Sequence, residues 1–590
     1  MRLVAASLVY VAVSSLVALL LGMTVGGLNE TVCVVSLMSG AIAAVAAFVS
    51  TPPSPRPQST DGSQTPYRHA WVWAVGFVFA LFAVRSFCWL LYFDDEAMRI
   101  QSPHNLGDLG LHVTYIKYFA NGIRLWPDSP LYVFSLLRYP AGIDLFNGLL
   151  TNLGFDLRHQ LTATGLLASA VTFWAFYRWG GPFGIAGFLF NGGIAGYQFF
   201  RTFQFLAYQD GPHISWKSIP LTMFVTQRGL LYAIPAGLAL LWHWRTKYRA
   251  SNEAAGMTLP TWVEYVLYAT MPLFHTHTFI VLNFVLIAIF VGRPQSRASL
   301  LKLVGAAFLP ATFFVWLTTD HFRAGSFFEW QFGWTQNVGE FAMPFFLFWF
   351  VNFGLFLLLV IPLAGIVARE EWRKLKAGDR EISTDALYLT AACLIFLFAC
   401  TAKTAPWEWD NMKLIIWAYF LTLPVLWNRL IRSWPLPVRI GACFILFFSG
   451  FVDLFGGLAA GRPGFEFANR AETDILASVT RTLAVEARFA GFPTYNHPLL
   501  LNGRKMVCGY TGHVWTQGIE YAPVEAKLTS LMSGQSNWLE LGHELRVRYL
   551  FWGNLEKTNY PTSSRPWENK LSIVAQGSWG AIYDFGPVRQ

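Results

Sequence analysis

The sequence has little charge. Only 13% of its 590 residues are Asp, Glu, Lys or Arg, whereas soluble globular proteins carry roughly 25%. Hydrophobic residues make up 54% of the chain and the mean hydropathy is +0.41. This composition excludes a disordered chain, an ordinary nucleic-acid-binding domain and a single soluble enzyme. It predicts a polytopic α-helical membrane protein, whose net charge of +9 is interpreted first as a topology signal.

Several chemical signatures are missing as well. The sequence has no P-loop, GxSxG, HExxH or CxxC motif and no dinucleotide fingerprint, so nucleotide-driven transport by this chain is not expected. No internal repeat of the kind found in many transporters is visible. The 6 cysteines form no disulfide framework, since all but Cys508 lie in apolar stretches.

Long apolar runs recur from the amino terminus to residue 459. Because about 20 apolar residues cross a bilayer, these runs predict about 13 transmembrane helices. They lie at residues 3–22, 31–50, 71–92, 160–178, 183–203, 221–243, 262–274, 277–291, 300–318, 343–367, 385–402, 413–431 and 437–457. Residues 143–155 are apolar but short, which is typical of a re-entrant or interfacial segment.

Lys and Arg collect in loops that alternate with the predicted spans. Such loops are usually cytoplasmic, and placing them there puts the amino terminus inside. The basic loops are 245–249, 292–297, 369–376 and 429–439. The opposite, outer face then receives 93–142, 207–220, 319–342, 403–412 and the polar tail.

Four regions follow from this pattern. Residues 1–92 hold the first spans and a cytoplasmic Pro/Ser-rich linker at 51–70, and 93–142 form the first large outer loop. Residues 143–459 form the remaining bundle, and 460–590 form an outer domain. That last region has helical spacing at 472–486 and 520–545, strand patterns at 503–510 and 546–553, and a closing hairpin. The predicted fold class is an all-α polytopic membrane protein with a small C-terminal extracytoplasmic α/β domain.

The first outer loop begins with a cluster of carboxylates, Asp94, Asp95 and Glu96. Carboxylates are costly beside lipid and are often functional there. Asp94 and Glu96 would suit a hard divalent cation such as Mg²⁺ or Mn²⁺. Alternatively, one of the three is a general base whose pKa its neighbours raise, or the cluster is only a solvated helix end.

Two histidine pairings stand out. Asp108 and His112 are spaced i, i+4, so on a helix they share a face and could bind each other or a ligand. His275 and His277 form an HxH between two short apolar runs. A tight outer bend of this kind would bind metal or phosphate, or would hold its histidines in structural hydrogen bonds.

Basic residues also lie at the outer ends of predicted spans. Lys217 and Arg228 precede or begin one span, and Lys413 follows Asp410 and Asn411 in WEWDNMK. Cations at this depth suit a lipid-linked phosphate. The alternative is that they anchor the protein at the interface by snorkelling.

Taken together, these motifs resemble the GT-C class of integral membrane glycosyltransferases, in an uncharacterised bacterial branch. That class includes the protein O-mannosyltransferases and aminoarabinose transferases, which carry an Asp-Glu motif just after a span, as FDDE does here. The resemblance covers most of the chain. Its segments are FDDE at 93–96, GDLGLHVTYIKYFANG at 107–122, RYPAGIDLFNGLL at 138–150, LFHTHTF at 273–279, WEWDNMK at 407–413 and NGRKMVCGYTGHVWTQGIEY at 502–521.

The resemblance implies an enzyme of the bacterial inner membrane. It would move a sugar from a polyprenyl-phosphate carrier to a glycan, lipid or protein acceptor on the outer side, by in-line displacement with a loop carboxylate as general base. The candidate catalytic residues are Asp94, Asp95, Glu96 and Asp108, and the resemblance does not choose among them. The candidate substrate-binding residues are His112, Lys217, Arg228, His275, His277, Asp410, Asn411 and Lys413.

Two other functions compete with this one. A transporter or flippase would carry charges in the middle of its spans and often a repeat, whereas the charges here cluster at one face. A non-catalytic scaffold would need neither the histidines nor the carboxylates, although a fold alone does not establish function.

Overall fold

The computed structural model describes residues 1–53, 67–249, 258–323, 328–459 and 464–587. Most of the predicted linker at 51–70 lies outside these residues. The described chain is mainly helical. Its α-helices are α1 Arg2–Val25, α2 Glu30–Ser50, α3 Tyr67–Phe87, α4 Leu106–Ala120, α5 Gly142–Asn152, α6 Leu157–Leu189, α7 Phe199–Thr202, α8 Gly229–Lys247, α9 Thr261–Ala269, α10 Met271–Phe274, α11 Thr276–Gly292, α12 Arg297–Thr318, α13 Phe345–Phe353, α14 Leu355–Lys376, α15 Thr384–Thr401, α16 Met412–Arg429, α17 Leu436–Ala459, α18 Arg470–Thr480, α19 Pro498–Leu501, α20 Thr511–Thr516, α21 Ala522–Met532, α22 Trp538–Glu544 and α23 Asn554–Asn559.

Ten short strands accompany the helices. They are β1 Tyr92–Phe93, β2 Ala97–Ile100, β3 Glu329–Trp330, β4 Ala402–Lys403, β5 Phe465–Asn469, β6 Arg488–Ala490, β7 Lys505–Met506, β8 Tyr549–Gly553, β9 Ser572–Gly577 and β10 Gly580–Asp584 among the described residues.

Seven helices in the described part of the chain are long and apolar enough to cross a membrane. An eighth span results if α13 and α14, which meet at a bend of 107°, count as one. A multi-pass membrane protein is therefore supported, but the predicted count of about 13 spans is not confirmed. The seven are Arg2–Val25, Glu30–Ser50, Ala70–Phe87, Pro294–Thr318, Thr384–Thr401, Glu408–Ser433 and Leu436–Ala459.

Interrupted helices account for part of the difference. The runs predicted as spans at 160–178 and 183–203 become one helix, α6, which is broken at Gly181 and ends at Leu189. Beyond it the chain packs its backbone directly on α13 and α17, and a side chain at Gly193 would overlap the carbonyl oxygen of Val351. The predicted span at 262–274 likewise forms α9, with only 9 residues, and the short α10.

The predicted loops gather at two opposite ends of the bundle. At one end Arg245 and Arg429 both bind Asp385, at 2.8 and 2.6 Å. At the other end the Arg138 guanidinium lies 3.1 Å from Asp320. These contacts bring together loops that were predicted to lie on the same face. The prediction was based on the alternation of basic loops along the chain. We call the second end, where the loops 93–142, 207–220, 319–342 and 403–412 meet, the polar end.

The tail folds over the polar end. It contains a five-stranded sheet in the order β7-β6-β8-β10-β9, parallel from β7 to β8 and antiparallel beyond. The predicted closing hairpin is confirmed as β9 and β10, and the predicted strands at 503–510 and 546–553 contain β7 and β8. The helical spacing at 472–486 and 520–545 corresponds to α18 and to α21 with α22.

Candidate functional site

The amino-terminal half of α4 forms one wall of a polar cluster at the polar end. Asp108 lies in its first turn and is half-buried. Burial raises the pKa of Asp108 above its usual range, and the neighbouring His112 and Lys413 oppose that rise. The hydroxyl of Thr226 also lowers this pKa, while the carboxylate of Asp410 raises it. Asp108 is thus a carboxylate in a confined site with both signs of charge nearby.

His112, one turn further along α4, is held by Asp144 of α5. Its Nδ1 lies 2.8 Å from Asp144 Oδ2, so this nitrogen donates its hydrogen to the carboxylate. The Nε2 atom accepts from the backbone N–H of Arg228 at 3.4 Å. The His112 and Asp144 side chains are 1% and 0% exposed. The carboxylate therefore sets the tautomer and the orientation of the ring.

Arg228 immediately precedes α8 and is fully buried in the same cluster. Its Nη2 donates to Asn147 Oδ1 at 2.6 Å and to the Thr164 hydroxyl at 3.1 Å, and its Nε lies 3.8 Å from Asp144. Its Nε and Nη1 hydrogens have no hydrogen-bond acceptor among the described residues. Since buried donors are nearly always paired, these two N–H groups are suited to an anionic ligand.

His275 and His277 stand at the junction of α10 and α11, with ring centroids 5.7 Å apart. The Nδ1 atom of His275 accepts from the backbone N–H of Thr278 at 3.2 Å, which leaves the hydrogen on Nε2. Neither Nε2 atom has a partner within the described part of the chain. Both rings lie close enough to Lys413 to sense its charge. They therefore add two buried nitrogens to the cluster that contains Lys413.

The WEWDNMK segment contributes the last predicted residues. Lys413, at the start of α16, lies 2.9 Å from Asp410. Asn411 has a different role, because its amide donates to the carbonyls of Ala399 and Ala402 and its oxygen accepts from Thr404. The hydrogen bonds of Asn411 therefore stabilise the turn between α15 and α16.

The tail reaches the same cluster through α20 and the turn after it. His513 packs beside Gly107 of α4, and burial, with a smaller contribution from His112, lowers the pKa of His513 to about 4. Gln517 donates from Nε2 to the Tyr115 hydroxyl at 2.9 Å. The tail thus closes the cluster from the side opposite the membrane helices.

Three predicted acidic residues lie elsewhere, on the hairpin formed by β1 and β2. The carboxylate of Asp94 accepts from the backbone N–H groups of Glu96 at 3.0 Å and Ala97 at 2.6 Å, and it pairs with Arg99. These hydrogen bonds, that with Arg99 foremost, lower the pKa of Asp94. Asp95 and Glu96 are exposed. This geometry favours a turn-forming role for Asp94, so the assignment of the base to Asp94, Asp95 or Glu96 stays a prediction.

Lys217 is also outside the polar cluster. It donates to the carbonyl of Gln209 and lies 3.8 Å from Asp210, and burial lowers its pKa. Its role in phosphate binding stays a prediction. For the metal, the described residues contain no group of three or more His, Cys, Asp or Glu side chains arranged to hold an ion, and Asp94 and Glu96 stay a proposal for that role.

Sequence reasoning missed several members of the cluster. Asp144 and Asn147 lie in the short apolar stretch 143–155, and a polar residue inside such a stretch was the available signal. His513 and Gln517 lie more than four hundred residues beyond Asp108 and His112 along the chain. Only the docking of the tail on α4 brings them into the site.

Similarity to known proteins is found among solved structures, and it is weak. No family model and no curated protein matches the chain. Among solved structures, the Archaeoglobus fulgidus oligosaccharyltransferase AglB, in complex with an inhibitory peptide and a dolichol-phosphate, is 12% identical with a TM-score of 0.48, over 83% of this chain and 70% of its own. The apo form of an oligosaccharyltransferase from the same organism is 12% identical with a TM-score of 0.45, over 84% and 70%.

These neighbours belong to the GT-C class that the sequence resembles. At such TM-scores the likeness carries no argument about chemistry. The chemistry open to the cluster follows from its own residues.

Proposed function

We propose that this protein is a membrane glycosyltransferase that transfers a sugar from a polyprenyl-phosphate donor to a hydroxyl-bearing acceptor at the polar end. The observation that carries the proposal is the composition of one buried cluster. The cluster contains Asp108, a carboxylate of raised pKa. It also contains the Nε and Nη1 groups of Arg228 and the Nε2 group of His275, which have no hydrogen-bond partner within the described chain.

The chemistry requires a base and an anion site close together. We assign the base to Asp108, because a confined carboxylate with a raised pKa takes a proton near neutral pH more readily than an ordinary one. The acceptor oxygen would attack the anomeric carbon and lose its proton to Asp108. The bond from that carbon to the phosphate oxygen would break, and polyprenyl phosphate would leave with the electron pair.

The leaving phosphate needs stabilisation of its charge. Arg228 with its two free N–H groups and the Nε2 hydrogen of His275 are placed to donate to phosphate oxygens, and Lys413 adds positive charge. Charge-assisted hydrogen bonds from preorganised donors are the usual means of stabilising such a leaving group. The pair of Asp144 and His112 would hold α4, the helix that carries Asp108, in place relative to Arg228. Because the donors are buried at the ends of apolar helices, a lipid-linked phosphate fits them better than a soluble one.

We also propose that the polar end faces outward, as the basic loops at the opposite end indicate. We also propose that Mg²⁺ or Mn²⁺ is bound by Asp94 and Glu96, at the hairpin formed by β1 and β2. A transporter or scaffold function has no specific observation in its favour.

A transfer assay tests the function. The purified full-length protein would be given radiolabelled polyprenyl-phosphate sugars, with and without Mg²⁺ or Mn²⁺, and the release of polyprenyl phosphate would be followed. Asp108→Asn should reduce release by about 100-fold or more, since general-base catalysis contributes about 10² to 10⁴. Asp474→Asn, which alters an exposed carboxylate that pairs with Arg470, should retain activity.

Two outcomes would contradict this assignment. Release that survives in Asp108→Asn but is lost in Asp94→Asn would move the base to the hairpin. No release from folded protein with any donor would argue against the transferase altogether.

A further inference from the structure

One face of α4 is built to receive the tail. Gly107 and Gly110 are spaced i, i+3, so they lie on the same side of the helix. A side chain at Gly110 would overlap the backbone carbonyl of Tyr495, and one at Gly107 would come within 3.5 Å of His513 Nε2. The tail therefore packs directly against the backbone of α4, the helix that carries Asp108 and His112.

His513 is a buried polar group whose hydrogen-bonding capacity is unused. The residue is only 8% exposed. Within the described ranges, its ring nitrogens form no hydrogen bond. With a pKa lowered to about 4, the imidazole is neutral near pH 7 and offers one donor and one acceptor. Neither ring nitrogen is among the fully buried side-chain atoms that lack a partner in the described residues, so water or a ligand can reach the ring.

Two tyrosines surround His513 at the edge of the cluster. The ring of Tyr510 packs edge to face against His513 at 5.0 Å and against Tyr495 at 5.8 Å. Tyr510 is 39% exposed, so part of it is available to a ligand. Gly512 allows this placement, because a side chain there would lie 2.6 Å from the Tyr510 ring.

These three side chains favour one class of ligand. They present aromatic surface and one neutral imidazole, with no formal charge among them at neutral pH. Aromatic rings stack on the C–H faces of sugar rings, and a neutral imidazole can both donate to and accept from sugar hydroxyls. A phosphorylated or acidic acceptor would instead call for Lys or Arg at this position.

We propose that Tyr495, Tyr510 and His513 form an acceptor subsite for an uncharged saccharide. This inference rests on the proposed transferase function and adds the class of acceptor to it. In this arrangement the donor phosphate lies on the side of Arg228 and His275, and the acceptor sugar lies on the side of the tail. Asp108, next to Gly107, stands between the two.

The test separates donor cleavage from acceptor binding. With a radiolabelled polyprenyl-phosphate sugar, release of free sugar to water would be measured without acceptor. Transfer would then be measured to a panel of methyl glycosides and to Ser/Thr peptides. His513→Ala and Tyr510→Ala should each raise the KM for the methyl glycoside by roughly fivefold or more, the effect of losing a hydrogen bond or a packed ring. In each variant this rise should exceed the change in the rate of hydrolysis.

Conservative variants and a matched control complete the design. His513→Gln, which keeps a neutral donor and acceptor, and Tyr510→Phe, which keeps the ring, should recover most of the acceptor affinity. These variants also decide the question if an alanine variant fails to fold. His543→Ala alters an exposed histidine of the tail and should leave the KM unchanged.

The outcomes are distinguishable. Unchanged glycoside KM in both alanine variants, or transfer to the peptides and not to glycosides, would overturn the saccharide subsite while leaving the transferase in place. If the wild-type protein cleaves no donor, the proposed function fails. Titration of its intrinsic fluorescence with the methyl glycosides would then still test the subsite, and saturation that is lost in His513→Ala would support it, whereas no saturation would overturn it.

Discussion

At the scale of single residues, environment separates carboxylates that look alike in the sequence. Asp94 is held in a turn by two backbone N–H groups and Arg99, which lower its pKa. Asp144 is buried against His112. Asp108 is confined and forms no ion pair within 4 Å among the described residues, and burial raises its pKa. Of the three, Asp108 is the one whose environment suits proton transfer.

This difference predicts the pH dependence of donor cleavage. The base must be deprotonated, so the rate should be full above the pKa of Asp108 and should fall as the pH is lowered through it. Because burial raises that pKa, the acidic limb of the kcat profile should lie above about 3.9, the ordinary value for Asp. A pH-rate profile of the wild-type protein at saturating donor measures this. An acidic limb at or below the ordinary value would contradict the assignment of Asp108.

At the scale of elements, interruptions in the helices position the polar groups. Arg228 and the residues His275 and Lys413 all lie where a helix begins, and these three beginnings meet at the polar end. Helix amino termini carry partial positive charge, which adds to the attraction for a phosphate. The cluster is thus a consequence of where α8, α11 and α16 start.

The glycine face of α4 provides a test at this scale. In Gly110→Ala the new methyl group would overlap the carbonyl oxygen of Tyr495, so the tail must move away from α4. Transfer to a saccharide acceptor should fall by about tenfold, a loss comparable to a misplaced substrate-positioning group, while hydrolysis of the donor by water persists. Acceptor-dependent and acceptor-independent rates would be compared in the same preparation.

Gly305→Ala is the matched control, because no atom lies within 4 Å of the new methyl group. It should behave as wild type. Equal loss of both rates in Gly110→Ala would show that the glycine face serves α4 itself rather than the acceptor.

At the scale of the whole molecule, the two ends of the bundle differ in kind. One end carries the basic loops, where Arg429 binds Asp385 at 2.6 Å and Glu370 at 3.3 Å. The other end carries the polar cluster and the tail. An asymmetric distribution of Lys and Arg sets the orientation of membrane proteins, and here it supports the proposal that the cluster faces outward.

Reporter fusions would check this orientation. Alkaline phosphatase, which is active only outside the cytoplasm, should be active when fused after residue 587 and inactive when fused in the loop at Gly378. Green fluorescent protein at the same two sites should give the reverse pattern. A tail that remains cytoplasmic would remove the outward-facing site from the proposal.

The sequence by itself determined the class of protein and many of the candidate residues of the site. Low charge and long apolar runs specify membrane helices because lipid accepts little else. Asp108 and His112 were identified as candidates by their i, i+4 spacing and His275 by the HxH pattern. Arg228, Asp410 and Lys413 were identified as charged residues near span ends. Part of the strand and helix order of the tail was also predictable, because alternating and helical periodicities are local properties. The strands β5 and β6 and the short helices α19, α20 and α23 were not predicted.

The tertiary structure decided which candidates meet. Asp144, His513 and Gln517 join the site through packing between segments distant in sequence, and no local pattern encodes that. It also decided that Asn411 secures a turn and that Asp94 belongs to a hairpin, since both depend on which donors surround an oxygen. The number of spans also depends on tertiary packing. The apolar run 183–203 leaves its helix at Leu189, and at Gly193 its backbone packs directly on Val351, a contact that hydropathy alone does not register.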